Sequence, residues 1–258
     1  MHSLSFSELL PANAFVLLIV LCRVAAAVGL MPGFGEAYVT MRVRASLAVL
    51  ITIVVAPLVA DTLPPEPTNF LRLTMLIIGE IFIGAFMGLM SKVLLGSLET
   101  AGAIIATQSS LASAITFNPG AETQETLPAG LFGALALVLI FALNLHHMLL
   151  IGVVDSYQAF PVGEGPPFDD LSRVMIQLVS QGFIISLELA APYIILGTLF
   201  YLALGLIGRV MPQLQVFYIA LPLQIMGGLT MLALTLSASI LWFLGVFQTL
   251  LTGFMRGP

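Results

Sequence analysis

Charge is what this sequence has least of. Its 258 residues carry 8 Lys and Arg and 13 Asp and Glu, so only 8% are charged, where a soluble domain carries roughly 25%. A water-facing shell cannot be built from so few ions, and with a net charge of -5 and no basic run there is no electrostatic footprint for nucleic acid. The single cysteine, Cys22, excludes an intrachain disulfide and a cysteine metal cluster, and in an apolar run it reads as a small buried hydrophobe. No HExxH, CxxC, GxSxG or Walker pattern occurs, which leaves no sequence basis for metal hydrolysis, acyl transfer or nucleotide binding. The adjacent pair His146-His147 cannot aim both rings from one helix face, since neighbours on a helix are about 100° apart.

What the sequence has in abundance is apolar length. Hydrophobic residues make up 59% and the mean hydropathy is +1.11, which predicts an integral membrane protein. Apolar runs lie near 12–31, 45–60, 73–98, 129–154, 174–207 and 214–255. The first lacks a basic leader and a small-residue cleavage site, so it is expected to be retained. Turn-forming clusters separate the runs: Pro32-Gly33-Phe34-Gly35, Leu63-Pro64-Pro65-Glu66-Pro67, Asn118-Pro119-Gly120 and the stretch from Pro161 to Pro167. Arg42, Arg44, Lys92 and Arg209 fall on one side if the runs alternate, and that side is expected to be cytoplasmic.

The last two runs are too long for ordinary crossings. As a helix, Leu214 to Met255 would extend roughly 63 Å, about twice a hydrocarbon core of about 30 Å. Each run carries an internal proline, Pro192 or Pro222, where a bend is expected. Between them Gly208-Arg209-Val210-Met211-Pro212-Gln213 interrupts the apolar sequence with a cation, a helix breaker and an amide. These features predict a helical hairpin whose polar tip faces water or a partner, because a bare guanidinium is costly in hydrocarbon.

Three further features stand out. Arg23, Glu80 and Glu188 are ionisable groups within apolar runs, read either as interhelical partners or, for the two carboxylates, as a proton or ion relay. Gly84 and Gly88 form a GxxxG pattern that permits close helix approach. From Glu99 to Pro128 the sequence turns to Ala, Ser, Thr and Gly, with small-residue helix to Ala114 and a polar loop from Ile115 to Pro128. A connection of that length is usually functional or disordered.

The ordered set of these motifs resembles the FliR family of type III secretion export-gate subunits, flagellar and injectisome (SpaR, YscT) alike, over most of the chain. The resemblance rests on Arg23, Met31-Pro32-Gly33-Phe34-Gly35 and Arg42-Val43-Arg44, on Glu80 with Gly84 and Gly88, and on Asn144-Leu145-His146. Its most specific element is the block from Ala203 to Phe217, through Arg209, Pro212 and Gln213, followed by Pro222.

That resemblance implies an all-α integral membrane protein of long kinked helical hairpins, a single unit over 1–258 in which residues 1–170 are FliP-like and residues 171–258 form a FliQ-like hairpin. It implies several copies each of FliP and FliQ around one copy of this chain, with FlhB and FlhA nearby, in the bacterial inner membrane at the flagellar basal body. It further implies a channel for unfolded exported proteins, closed by a plug loop near 108–122. The plug residues on this reading are Leu111, Ser113, Ile115, Thr116, Phe117, Asn118 and Pro119, while Arg209, Pro212, Gln213 and Phe217 make the hairpin turn and its subunit contacts. Asn118 stands where the family often has Asp. No catalysis and no cofactor are implied. The alternatives are an injectisome gate subunit, a small secondary transporter and, third, a membrane-embedded hydrolase; against the transporter, no inverted repeat is visible and the arms are too long.

Overall fold

The computed structural model describes residues 6–113, 115–118, 123–211 and 216–256. Helices dominate: α1 Phe6–Leu30, α2 Met41–Val59, α3 Phe70–Gln108, α4 Leu127–Ala142, α5 Leu145–Ala159, α6 Phe168–Val210 and α7 Val216–Arg256. The chain is an all-α membrane protein with one small exception, described below. Among the described residues four helical segments are long and apolar enough to cross a membrane, Met41–Thr62, Phe70–Gln108, Phe168–Val210 and Ala220–Leu250, and α4 with α5 makes a fifth, broken span or a re-entrant loop.

Local chemistry sets the helix boundaries. The Asn69 Oδ1 accepts the Leu71 amide at 2.9 Å, capping α3. At the start of α6 the prolines Pro166 and Pro167 precede a first turn holding Asp169 and Asp170, and Arg209 lies in the last turn, so charges oppose the helix dipole at both ends. Within the apolar helices, hydroxyls donate to carbonyls one turn back, as from Thr52 to Ala48, Ser91 to Gly88 and Ser97 to Leu94. Such bonds satisfy polar side chains without water, the condition for placing them in lipid or in a packed interior.

Three expectations are corrected. The fourth apolar run is not continuous: it breaks between α4 and α5 at Asn144, which takes the left-handed conformation with φ of 59° and precedes α5 directly. Asparagine tolerates that conformation far better than an apolar residue, and a hydropathy scan is blind to it. The segment from Ile115 to Pro128 is not an irregular loop. It contains an antiparallel ribbon, β1 Ile115–Asn118 with β2 Thr123–Thr126, pairing Ile115 with Thr126 and Asn118 with Thr123, and Pro128 already belongs to α4. Ile115, Thr116, Phe117, Thr123 and Thr126 are β-branched or aromatic and flank the Asn118-Pro119-Gly120 turn signal, which is hairpin chemistry. Third, the interruption near Gly208 starts later, since α6 continues through Gly208, Arg209 and Val210; Pro212 and Gln213 lie outside the described residues.

The last two helices hold 43 and 41 residues with Pro192 and Pro222 inside them, lengths of about 65 and 62 Å at the usual rise. Two compact units divide the chain. One comprises 1–92, 143–176 and 251–258, the other 93–142 and 177–250.

Candidate functional site

In the first unit, the deepest feature is an ionic node built from three helices. Arg23 of α1 is 0% exposed and Glu80 of α3 is 2% exposed. The guanidinium donates from Nε to Glu80 Oε2 at 2.6 Å and from Nη2 to Glu80 Oε1 at 2.9 Å, a two-pronged grip. Its remaining donors reach the end of α5: Nη1 to Ser156 Oγ at 3.1 Å and Nη2 to the Phe160 carbonyl at 2.9 Å. The ring of Tyr157 covers the guanidinium with its centroid 3.9 Å from Cζ. A buried ion pair survives only when the charges are matched and most of their hydrogen-bonding capacity is used, and this node engages four of the five guanidinium donors.

Glycines bring the helices that carry the pair together. A Cβ on Gly84 would collide with the Arg23 backbone carbonyl, and one on Gly88 would meet the Ala27 carbonyl at 2.7 Å. Gly84 and Gly88 therefore form the face on which α1 lies, one turn beyond Glu80 on the same helix side. Arg44 closes the turn between α1 and α2, donating to the carbonyls of Val39 at 3.0 Å and Glu36 at 2.6 Å.

The second unit contains the segment between α3 and α4. Leu111 is buried in a short 3-10 turn, Leu111–Ser113, and the ribbon follows. Ile115, Thr116, Phe117 and Asn118 form its first strand; Pro119 lies outside the described residues. Both ends of this segment rest on small residues. On the α4 side, a Cβ at Gly102 would meet Ala129 Cα at 2.5 Å, so α3 and α4 run close together at the loop's base. On the α3 side, Gln108 and Ser109 fit against α6 and α7. Ser110, next in sequence, has φ of 56°, a left-handed residue that ends the helix run.

The other sequence candidates are placed apart from these two clusters. Glu188 is not buried but exposed on α6, with no bond to any described residue. It shares with Glu80 only a place in an apolar run, and composition does not say which face a carboxylate occupies. Arg209 is exposed at the end of α6, and Phe217 lies in the first turn of α7. The His146 and His147 rings, expected to point apart, lie with centroids 4.1 Å apart and planes tilted by 35°, and among the described residues no three His, Cys, Asp or Glu side chains converge as for a metal ion.

Sequence reading misses Ser156, Tyr157, Gly102, Gly197, Gln224 and Gly228. A signal exists for Gln224, an amide with apolar neighbours on both sides in the last run, and for Tyr157, a phenol next to a serine near a run's end. Neither signal names a partner.

Residues 14–250 match the model of the family described as bacterial export proteins, family 1. The chain is 39% identical over 225 residues to the flagellar biosynthetic protein FliR of Caulobacter vibrioides, covering 87% of this chain and 90% of the relative. It is 33% identical over 214 residues to the flagellar biosynthetic protein FliR of Escherichia coli, covering 83% and 81%. Similarity extends to the Yop proteins translocation protein T of Yersinia pestis, 35% identical over 156 residues, 58% of this chain and 59% of the relative.

Proposed function

The chain belongs to the bacterial export proteins of family 1, and from that premise we propose that it is a core subunit of the flagellar export gate, contributing a loop that stops the channel between export events. As a member of that family with flagellar relatives over most of its length, it is an integral membrane component of a type III export apparatus. The finer reading adds FliP and FliQ in several copies around one copy of this chain, FlhA and FlhB as neighbours, the inner membrane at the basal body as the location, and unfolded flagellar proteins as cargo. The chain catalyses nothing on this reading; energy for export comes from partners.

One observation carries the stopper role: the segment after Gln108 is tethered at both ends by close-packed small residues, yet contains its own ribbon, so it is a built element and not slack between helices. Its composition suits a narrow lumen, with small Ser and Ala residues for close approach and Leu111, Ile115 and Phe117 as apolar bulk. The flagellar reading is favoured over the injectisome one because a flagellar relative matches at higher identity over more of the chain, 39% over 87% against 35% over 58% for the Yersinia translocation protein.

Deleting Leu111 to Phe117 from the full chain in cells and measuring membrane conductance tests the stopper. A rise in ion leak is expected. Unchanged conductance with normal amounts of the protein in the membrane would sink it.

A further inference from the structure

The root of the loop is seated in a three-sided saddle within the second unit. Gln224 of α7 is 8% exposed, and its Nε2 donates to the Gln108 carbonyl at 2.7 Å. That carbonyl is one of the last in α3, where intrahelical donors run out, so an amide side chain takes the place of the missing backbone partner. The next residue, Ser109, is buried against Gly228: a Cβ there would collide with the Ser109 side chain. From the other side Gly197 of α6 approaches, its would-be Cβ 2.5 Å from Gln108 Oε1, 3.2 Å from the Gln108 carbonyl oxygen and 3.3 Å from Gln108 Cβ.

Three contacts from two helices thus converge on two consecutive residues, immediately before the left-handed turn at Ser110. The remainder of the arrangement is light. Beside the saddle lies a cavity of about 330 Å³, bordered by Tyr193, Phe200, Leu223 and Thr230 as well as the saddle residues. Beyond it the two helices are joined by a hydroxyl bond, Tyr193 to Thr235 at 2.6 Å, and α6 is linked to α3 by Ser186 donating to the Ser97 carbonyl at 2.7 Å. Among the described residues, the contacts that α6 and α7 make with Gln108 and Ser109 are one amide hydrogen bond and van der Waals fit, with free volume next to them for the root to move into. A single neutral hydrogen bond of this kind contributes little net stability and can be released in operation, and bistable packed contacts are what switching elements are made of.

We propose that Gln224, Gly197 and Gly228 form a clamp by which the α6–α7 pair holds the loop in its closed position, and that passage of protein requires Gln108 and Ser109 to leave this saddle. The inference rests on the stopper reading. Gln224 is a positioning residue in it: it sets where the loop sits and does not itself obstruct the channel.

The test locks the clamp after assembly. In the full chain with Cys22→Ser, the changes Gln108→Cys and Gly197→Cys place sulfurs on carbons 3.3 Å apart, close to the roughly 3.5 Å lower end of disulfide geometry, and the paired change removes the Gln108 Oε1 that a new Cβ would meet. Cells bearing this chain are oxidised and then reduced, with secretion of filament subunits and conductance read in each state. Secretion is expected to fall at least tenfold on oxidation and to return on reduction, with conductance low throughout. Gln224→Leu, with the loop intact, is expected to raise conductance without lowering the amount of assembled protein. Oxidised cells that secrete at the reduced rate, with the disulfide formed, would overturn the clamp, as would a Gln224→Leu gate that stays tight. The Leu111 to Phe117 deletion is run alongside. If it leaks while the locked chain still secretes, only the clamp fails; if it does not leak, the stopper itself fails and the clamp with it.

Discussion

Arg23 and Glu80, 57 residues apart in the chain, meet through two parallel hydrogen bonds of 2.6 and 2.9 Å in a site with almost no solvent access. The carboxylate cancels a charge that the surrounding apolar helices could not tolerate alone, and the Phe160 carbonyl and Ser156 hydroxyl take up two more of the guanidinium's five donors. Three helices are fixed to one another by a single side chain.

Removing one member strands the other. Glu80→Ala should destabilise the protein by about 3–5 kcal/mol, the usual consequence of an uncompensated buried charge, seen as loss of folded material in a detergent thermal-unfolding assay. Arg23→Met with Glu80→Leu together should recover most of that loss. A double variant no more stable than Glu80→Ala would show that the charge match is not what the node supplies.

Glu80→Gln and Glu188→Gln separate structural from relay roles. On the ion-pair reading, Glu80→Gln lowers stability and Glu188→Gln does not, and neither alters the dependence of export on the proton gradient. Loss of that dependence in a variant that still assembles would restore the relay reading for the residue concerned.

Gly84→Ala should disrupt the crossing of α1 and α3, because the added methyl meets the Arg23 backbone and not a movable side-chain tip. Overpacking of this type costs about 1–3 kcal/mol. Gly96→Ala, on the same helix with nothing within 4 Å, should be neutral or stabilising by up to about 1 kcal/mol from helix propensity. Comparable losses at both positions, read in the same unfolding assay, would remove the packing argument.

Asn144→Gly should leave the break between α4 and α5 intact, as glycine adopts positive φ freely. Asn144→Val should cost about 1–2 kcal/mol or more. The comparison is made by limited proteolysis and thermal unfolding, and equal behaviour of the two variants would mean that the turn does not depend on left-handed backbone.

Arg209→Glu should lower the yield of assembled export complex and the secretion of flagellar proteins while the isolated chain folds normally, because Arg209 is exposed and bonds nothing in the described residues of its own chain. Arg209→Lys should retain most of both. Normal motility and complex yield after charge reversal would end the case for a subunit contact there.

Much of this protein is legible without coordinates, for reasons that differ by feature. Scarce charge and long apolar runs determine membrane residence and helical class, since only hydrogen-bond-satisfied helices or closed barrels survive in lipid. The overlong final arms, the polar turn between them and the ordered motif block identify the family. Arg23, Glu80, Gly84 and Gly88 also stand out as unusual, because each is expensive or destabilising in an apolar helix unless something compensates.

What compensates was decided only by tertiary structure. That Arg23 finds Glu80 and Tyr157, that Gly84 lies under Arg23 itself, and that Glu188, chemically the twin of Glu80, is exposed are facts about which helix faces adjoin, and residue identity does not encode adjacency across dozens of positions. The same holds for Gln108 and Ser109, ordinary residues at a helix end until Gly197, Gln224 and Gly228 arrive from more than eighty residues downstream. The ribbon after them shows the remaining limit: four-residue strands carry too short a pattern to stand out, and the pairing that stabilises each is supplied by the other.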